Sequence, residues 1–267
     1  MNATEQGSAP YRFEQAVVIP TEWARGPWFA DQQHGASLLG LMARFMERVP
    51  TYAPMRFTRI TADLSRPVPL KPMVVEAHPL RDGRRVQSLE ATVAVDGVVL
   101  CRGVATRIRV DPGLVPEALL PASLAEDAAP PFATVETPYE LDGPNFTDRL
   151  DVRRVDQTLS TRNRTWYRLR GELIEGEEAT PTVRLAAIAD MVLSSGNQLG
   201  PGWVSINPEV SLQIEREPRG GWFCVSATAR FGDDGIGASE AVLFDEEGRI
   251  GRSSKSILNF RRGGATT

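Results

Sequence analysis

Residues 240–260, EAVLFDEEGRIGRSSKSILNF, repeat the texture of residues 91–110, ATVAVDGVVLCRGVATRIRV, once Gly248 is laid on Gly97. Both stretches alternate apolar and polar residues around a short acidic turn, the pattern of an antiparallel hairpin with one buried face. Few identities are shared, so the repeat is one of architecture. It divides the chain into two halves of similar plan, each with a central helix and a multi-stranded meander, which gives an α+β protein.

In the first half, HGASLLGLMARFMERVP (34–50) places Leu38, Leu41, Met42, Phe45, Met46 and Val49 at helical spacing, and Pro50 stops the run. FTRITADLSRPV, MVVEAHPLRDG, RRVQSLEATVAVDG and VVLCRGVATRIRV follow as strands, with turn signals at Asp82-Gly83 and Asp96-Gly97. Residues 111–146 break the pattern. Seven of the chain's 20 prolines fall there without periodicity, so the segment reads as a linker between units 1–110 and 147–267. After it, DVRRVDQTLST and TWYRLRGELIEG read as strands. A helix comes next, and then EVSLQIEREP, WFCVSATARFGDDG, GASEAVLFDEEG and RIGRSSKSILNFRR.

That second helix carries one conspicuous residue. TPTVRLAAIADMVLSSGNQLG (180–200) opens with Thr180 as a cap and Pro181 at the first helical position. Asp190 shares a stripe with Val183, Ala186, Ala187 and Leu193, while Leu185, Ile188 and Val192 occupy the other side. A helix apolar on both sides is a buried helix, and a carboxylate within it needs an end, a partner or a cavity.

Composition excludes several classes. With 42% hydrophobic and 24% charged residues and a net charge of −4, the chain has no electrostatic footprint for nucleic acid or an anionic membrane. No apolar run approaches the roughly 20 residues of a membrane-spanning helix. The start, MNATEQGSAPYRFEQ, has neither a basic nor an apolar leader region, so a cytoplasmic location is expected. Cys101 and Cys224 have no metal-site spacing and read as buried thiols. Two histidines, His34 and His78, do not make a metal centre, so no metal or organic cofactor is expected.

The residues also carry a family resemblance. RGPWFADQQHGASLLGLMARFMERV resembles the opening of the first helix in acyl-CoA thioesterases of the type II, double-hotdog group. IADMVLSSGNQL, WVSINPEVSLQIEREPRGGWFCVSATARFGDDGIG and LFDEEGRIGRSSKSILNFRR resemble the second hotdog of that family. The resemblance implies two tandem hotdog units, each a helix wrapped by a curved antiparallel sheet, and a homodimer. It implies hydrolysis of an acyl-CoA thioester by an acid on the second helix, here Asp190, with a Thr or Asn, here Asn207. The third family position is a Gln and falls on Lys255, a departure at a chemical residue.

Hydrolysis requires an activated water and donors for the developing oxyanion. Asp190 can serve as general base or attack directly through an anhydride, and Asn207 can serve as an orienting amide. Lys255 donates but does not accept, so beside Asp190 it forms an ion pair. It can then stabilise an oxyanion, meet an acidic group, or weaken the base; a solvent-facing strand lysine is the remaining alternative. His34, Gly35 and Ala36 open the first helix, where amides free of helical partners can bind a polarised carbonyl and Gly35 permits close approach. RDGRR (81–85) and RVDPG (109–113) are solvated turns or contacts for coenzyme A phosphates. Leu38, Met42, Phe45, Met191 and Leu193 are pocket candidates that are equally core residues. Two other readings stay open. One is an acyl-binding protein that has lost turnover, for which Lys255 argues. The other is a dehydratase pairing His34 with Asp190, against which the hydratase spacing of Asp, Asn and His is missing around Asp31–His34.

Overall fold

Alternating side chains set the strands, and the computed structural model, which describes residues 9–117, 143–155, 162–192, 199 and 202–261, follows that alternation. The chain runs β1 (Tyr11–Glu14), β2 (Val17–Pro20), α1 (Gly35–Glu47), β3 (Met55–Asp63), β4 (Val74–Asp82), β5 (Val86–Val95) and β6 (Val98–Arg109). It continues with β7 (Leu150–Arg154), β8 (Arg162–Leu169), α2 (Pro181–Ala189), β9 (Trp203–Ile206), β10 (Glu209–Ile214), β11 (Trp222–Phe231), β12 (Ile236–Asp245) and β13 (Gly248–Arg261). In β5 every second residue, from Gln87 to Val95, is buried. In β13 Ser253, Lys255, Ile257 and Asn259 are buried while Arg252, Ser254, Ser256 and Leu258 face out.

Among the described residues β1 and β2 form a separate hairpin. The other eleven strands build one sheet in the order β4-β5-β6-β3-β10-β13-β12-β11-β8-β7, with β9 on β13, and every pairing is antiparallel. The two halves meet edge to edge at β3 and β10, where Asp63 pairs with Glu209 and Arg59 with Gln213. The α1 helix lies against β4, β5 and β6, and α2 against β8, β10 and β11. In α1 the side chains of Leu39, Leu41, Met42 and Met46 are fully buried, each contributing roughly 1.5–3 kcal/mol of transfer free energy. The helices touch directly: a Cβ on Gly40 would lie 2.8 Å from Ala187 Cβ.

The repeat is real in three dimensions but offset by one residue from the sequence alignment. Asp96 and Gly97 form the β5–β6 turn with φ of 51° and 78°, flanked by the Val95–Val98 pair. In the second hairpin the flanking pair is Asp245–Gly248, so Glu246 and Glu247 are the turn. Gly248 therefore matches Val98. Both hairpins carry an irregularity at the same place, between Val93 and Ala94 and between Leu243 and Phe244. With this offset Cys101, Ala105 and Arg107 correspond to Gly251, Lys255 and Ile257, all buried. The alignment on Gly97 would have put Cys101 against exposed Arg252; a one-residue slip exchanges the faces of a strand.

Most of the proline-rich segment, residues 118–142, lies outside the described residues, as do 156–161 of the strand expected at 151–161. Its described end is an ordered turn. Asn145 and Asp148 form a capping box around Phe146–Arg149, and Phe146 is fully buried.

Candidate active site

Asp190 is the C-cap of α2. Its backbone keeps helical angles (φ −78°, ψ −11°), and Met191 N–H closes the last turn on the Ile188 carbonyl. The single apolar helix expected through residue 190 thus ends at Ala189. Two side chains of β13 hold this helix end: Ser253 Oγ donates to Ala189 O at 2.9 Å, and Lys255 Nζ donates to Asp190 O. Ser253 and Lys255 reach the same helix end because strand side chains repeat every second residue.

A carboxylate at a helix C-terminus adds negative charge to the negative end of the macrodipole. Lys255 offsets this, since Nζ also donates to Asp190 Oδ1 at 2.8 Å. Both residues are buried, Lys255 to 3% and Asp190 to 5% exposure, which excludes the solvent-facing lysine. Asn207, between β9 and β10, donates Nδ2 to the same Oδ1 at 3.0 Å and to Glu209 O at 3.1 Å. Asp190 Oδ1 therefore holds two donors, while Oδ2 has no hydrogen-bond partner among the described residues.

Oδ2 faces the start of α1. A Cβ on Gly35 would lie 2.9 Å from it, so the space a glycine leaves there is used by Asp190 itself. His34 caps α1: its Nδ1 accepts the Ala36 amide at 3.0 Å. Nδ1 also lies 3.8 Å from Asp190 Oδ2, a distance that by itself suggests an ion pair. It is not one, because the Nδ1 lone pair is already engaged and the ring is neutral. Burial pushes the His34 pKa down to about 4, against the upward pull of Asp190, and Lys255 lowers it further. Phe146 covers the ring at 5.4 Å between centroids.

These groups line one cavity of about 400 Å³, whose wall includes His34, Gly35, Leu38, Asp190, Asn207 and Lys255. The structure thus brings together five of the six expected site residues. Ala36 is the exception: it is fully buried and its amide belongs to His34, while the amides of Gly35 and Ser37 have no partner among the described residues. Of the pocket candidates only Leu38 reaches the cavity. Met42 and Met191 are core, Phe45 packs on Phe13, and Leu193 lies outside the described residues. Neither arginine-rich turn borders it; the exposed cation at its rim is Arg66. Leu64, Arg66, Thr147 and Phe260 were missed because they sit at strand ends and in turns, where periodicity carries no signal.

An unengaged carboxylate oxygen can take a proton from water. A helix amide and a buried ammonium beside it can receive negative charge, which is the equipment for transferring an acyl group to water. Among the described residues no cluster of His, Cys, Asp and Glu is placed to hold a metal ion, and no helix is long and apolar enough to cross a membrane.

Comparison with known proteins gives the family. The family model of the acyl-CoA thioesterase N-terminal domain matches residues 24–108, and that of the acyl-CoA thioesterase C-terminal domain matches residues 120–258. No curated protein matches the sequence. Among solved structures, an acyl-CoA thioesterase II from Mycobacterium marinum is 15% identical, with 96% of each chain covered and a TM-score of 0.65. A protein with a hot dog fold from Alicyclobacillus acidocaldarius is 16% identical, covering 99% of this chain and 100% of its own, with a TM-score of 0.68. At such identities the likeness is one of fold.

Proposed function

This chain belongs to the acyl-CoA thioesterase family, and from that membership we propose that it hydrolyses an acyl-CoA thioester with a water activated by Asp190. The observation that carries the mechanism is the asymmetry of the carboxylate. Oδ1 is held by Lys255 and Asn207, while Oδ2 has no hydrogen-bond partner among the described residues and Asp190 lines the cavity. The water oxygen attacks the thioester carbonyl carbon as Oδ2 takes its proton. Charge develops on the carbonyl oxygen, and the Gly35 amide at the positive end of α1 is the donor for it. Lys255 keeps a third N–H that has no partner among the described residues and adds a full positive charge to the same space. Collapse of the tetrahedral intermediate breaks the C–S bond. The thiolate leaves and recovers the proton from Asp190, and the acid departs with the water oxygen. His34 acts as a neutral cap that orients the helix start.

The same reading takes the chain as a double hotdog, with units 1–110 and 147–267 joined by 111–146, and as a cytoplasmic homodimer, which sedimentation and cell fractionation test. One observation favours a second reading, acyl-CoA binding without turnover: an ammonium sits on the proposed base, at the position where the resemblance implies a neutral amide. Thiol release from a panel of acyl-CoAs separates the two. Turnover that is lost in Asp190→Asn is the expected result. Binding of acyl-CoA with no thiol release from any substrate would overturn hydrolysis and leave the binding reading.

A further inference from the structure

The cavity is shallow on its inner side. It touches α1 only at Gly35 and Leu38, beside the cap His34, and it touches α2 only through its cap Asp190. Leu39, Leu41 and Met42 are fully buried and take no part in the wall. At Gly40 the two helices are in contact, because a Cβ there would meet Ala187 Cβ at 2.8 Å and Leu173 Cδ2 at 3.1 Å. Leu64 closes the space beside the reactive carboxylate. A Cβ on Gly35 would lie 2.9 Å from Leu64 Cδ1, the same separation as from Asp190 Oδ2, so a leucine methyl and the proposed base flank one Cα atom.

We propose that this cavity selects short acyl chains, of about six carbons or fewer since it follows only one helical turn of roughly 5 Å, and that Leu64 and Leu38 set the limit. The inference rests on the thioester reading above. The volume of about 400 Å³ must also admit the thioester and the end of the pantetheine arm, and it stands near the small end of pockets that hold a whole ligand. Each methylene that enters the cavity leaves water and raises kcat/KM by about fourfold. A methylene pushed past Leu64 and Leu38 toward the helices meets the closed contact of Gly40 with Ala187 and Leu173 and strains against the leucines.

The test is kcat/KM of the wild type for straight-chain acyl-CoAs from two to sixteen carbons, repeated with Leu64→Ala. The expected profile rises about fourfold per methylene at first and turns over by about six carbons. Leu64→Ala, at the end of a strand, shifts the turnover point to longer chains. A wild-type maximum at twelve carbons or more overturns the inference while leaving hydrolysis intact, and so does an unchanged profile in Leu64→Ala. Should no thioester be hydrolysed, the hydrolysis reading fails by itself. Acyl-CoA affinities measured over the same panel then decide the chain-length limit, which fails if affinity keeps rising past eight carbons.

Discussion

Lys255 Nζ bonds Asp190 twice, at the carbonyl oxygen that ends α2 and at carboxylate Oδ1, 2.8 Å away. The lysine is a helix cap and a counter-ion at once. Lys255→Met removes both functions and leaves a buried carboxylate without its cation, so the fold should lose about 3–5 kcal/mol in urea unfolding. Lys255→Gln retains an N–H donor and should lose about 1–2 kcal/mol. Equal stability of Lys255→Met and wild type would mean that the pair does not hold the helix end.

Asp190→Asn removes the base and keeps the side-chain shape. We expect kcat to fall by at least about 100-fold, with KM little changed. It also strands the Lys255 ammonium, so a loss of stability accompanies the loss of activity. The double variant Asp190→Asn, Lys255→Gln separates these effects: stability recovers and turnover does not. Recovery of turnover in the double variant would remove Asp190 from the proposed chemistry.

Gly35→Ala sets helix propensity against local geometry. Alanine at an early helical position would stabilise an isolated helix by up to about 1 kcal/mol. Here its Cβ would meet Asp190 Oδ2 and Leu64 Cδ1, each at 2.9 Å. The carboxylate or the leucine must move, at about 1–3 kcal/mol. Stability should fall slightly and kcat by about tenfold or more, read by thermal melts and thiol release. A more stable, fully active variant would show that the approach to Gly35 is unimportant.

His34 makes the protein acid-sensitive. Its pKa is depressed to about 4 in the fold, chiefly by burial, while an unfolded histidine titrates near 6.5. The unfolded chain therefore binds the proton first. Stability from the neutral ring is complete above about pH 6.5 and declines as pH falls toward 4, by about 3 kcal/mol over that window. His34→Asn keeps a capping side chain that does not titrate, so its urea midpoint should change less between pH 6.5 and 4.5. Parallel pH dependence in the two proteins would show that the fold does not depress the His34 pKa.

The strands and α1 were legible because they rest on local period. Leu38, Leu41, Met42 and Met46 recur at helical spacing and are buried, and Asp96-Gly97 announces the turn that its positive φ values require. The chemistry was legible only through the resemblance, which assembled Asp190, Asn207 and Lys255 from separate stretches. The face of β13 was ambiguous in sequence, since Ile257 and Leu258 are both apolar; Ile257 is buried and Leu258 is 46% exposed. The buried phase includes Lys255, so the repeat had to be shifted by one residue before the lysine fell on the inner face.

The sequence by itself therefore determined the strand and helix pattern and the two similar halves, because each is written in spacing between near neighbours, while the family followed from the resemblance of whole motifs. Only the tertiary structure decided that α2 stops at Ala189, that Lys255 and Asn207 share Asp190 Oδ1, that Oδ2 lies against Gly35, and that Ala36 is withdrawn from the site. Asp190 and Lys255 are 65 residues apart, on a helix end and a central strand. Their contact depends on how helix and sheet pack, and no periodicity in the chain encodes that distance.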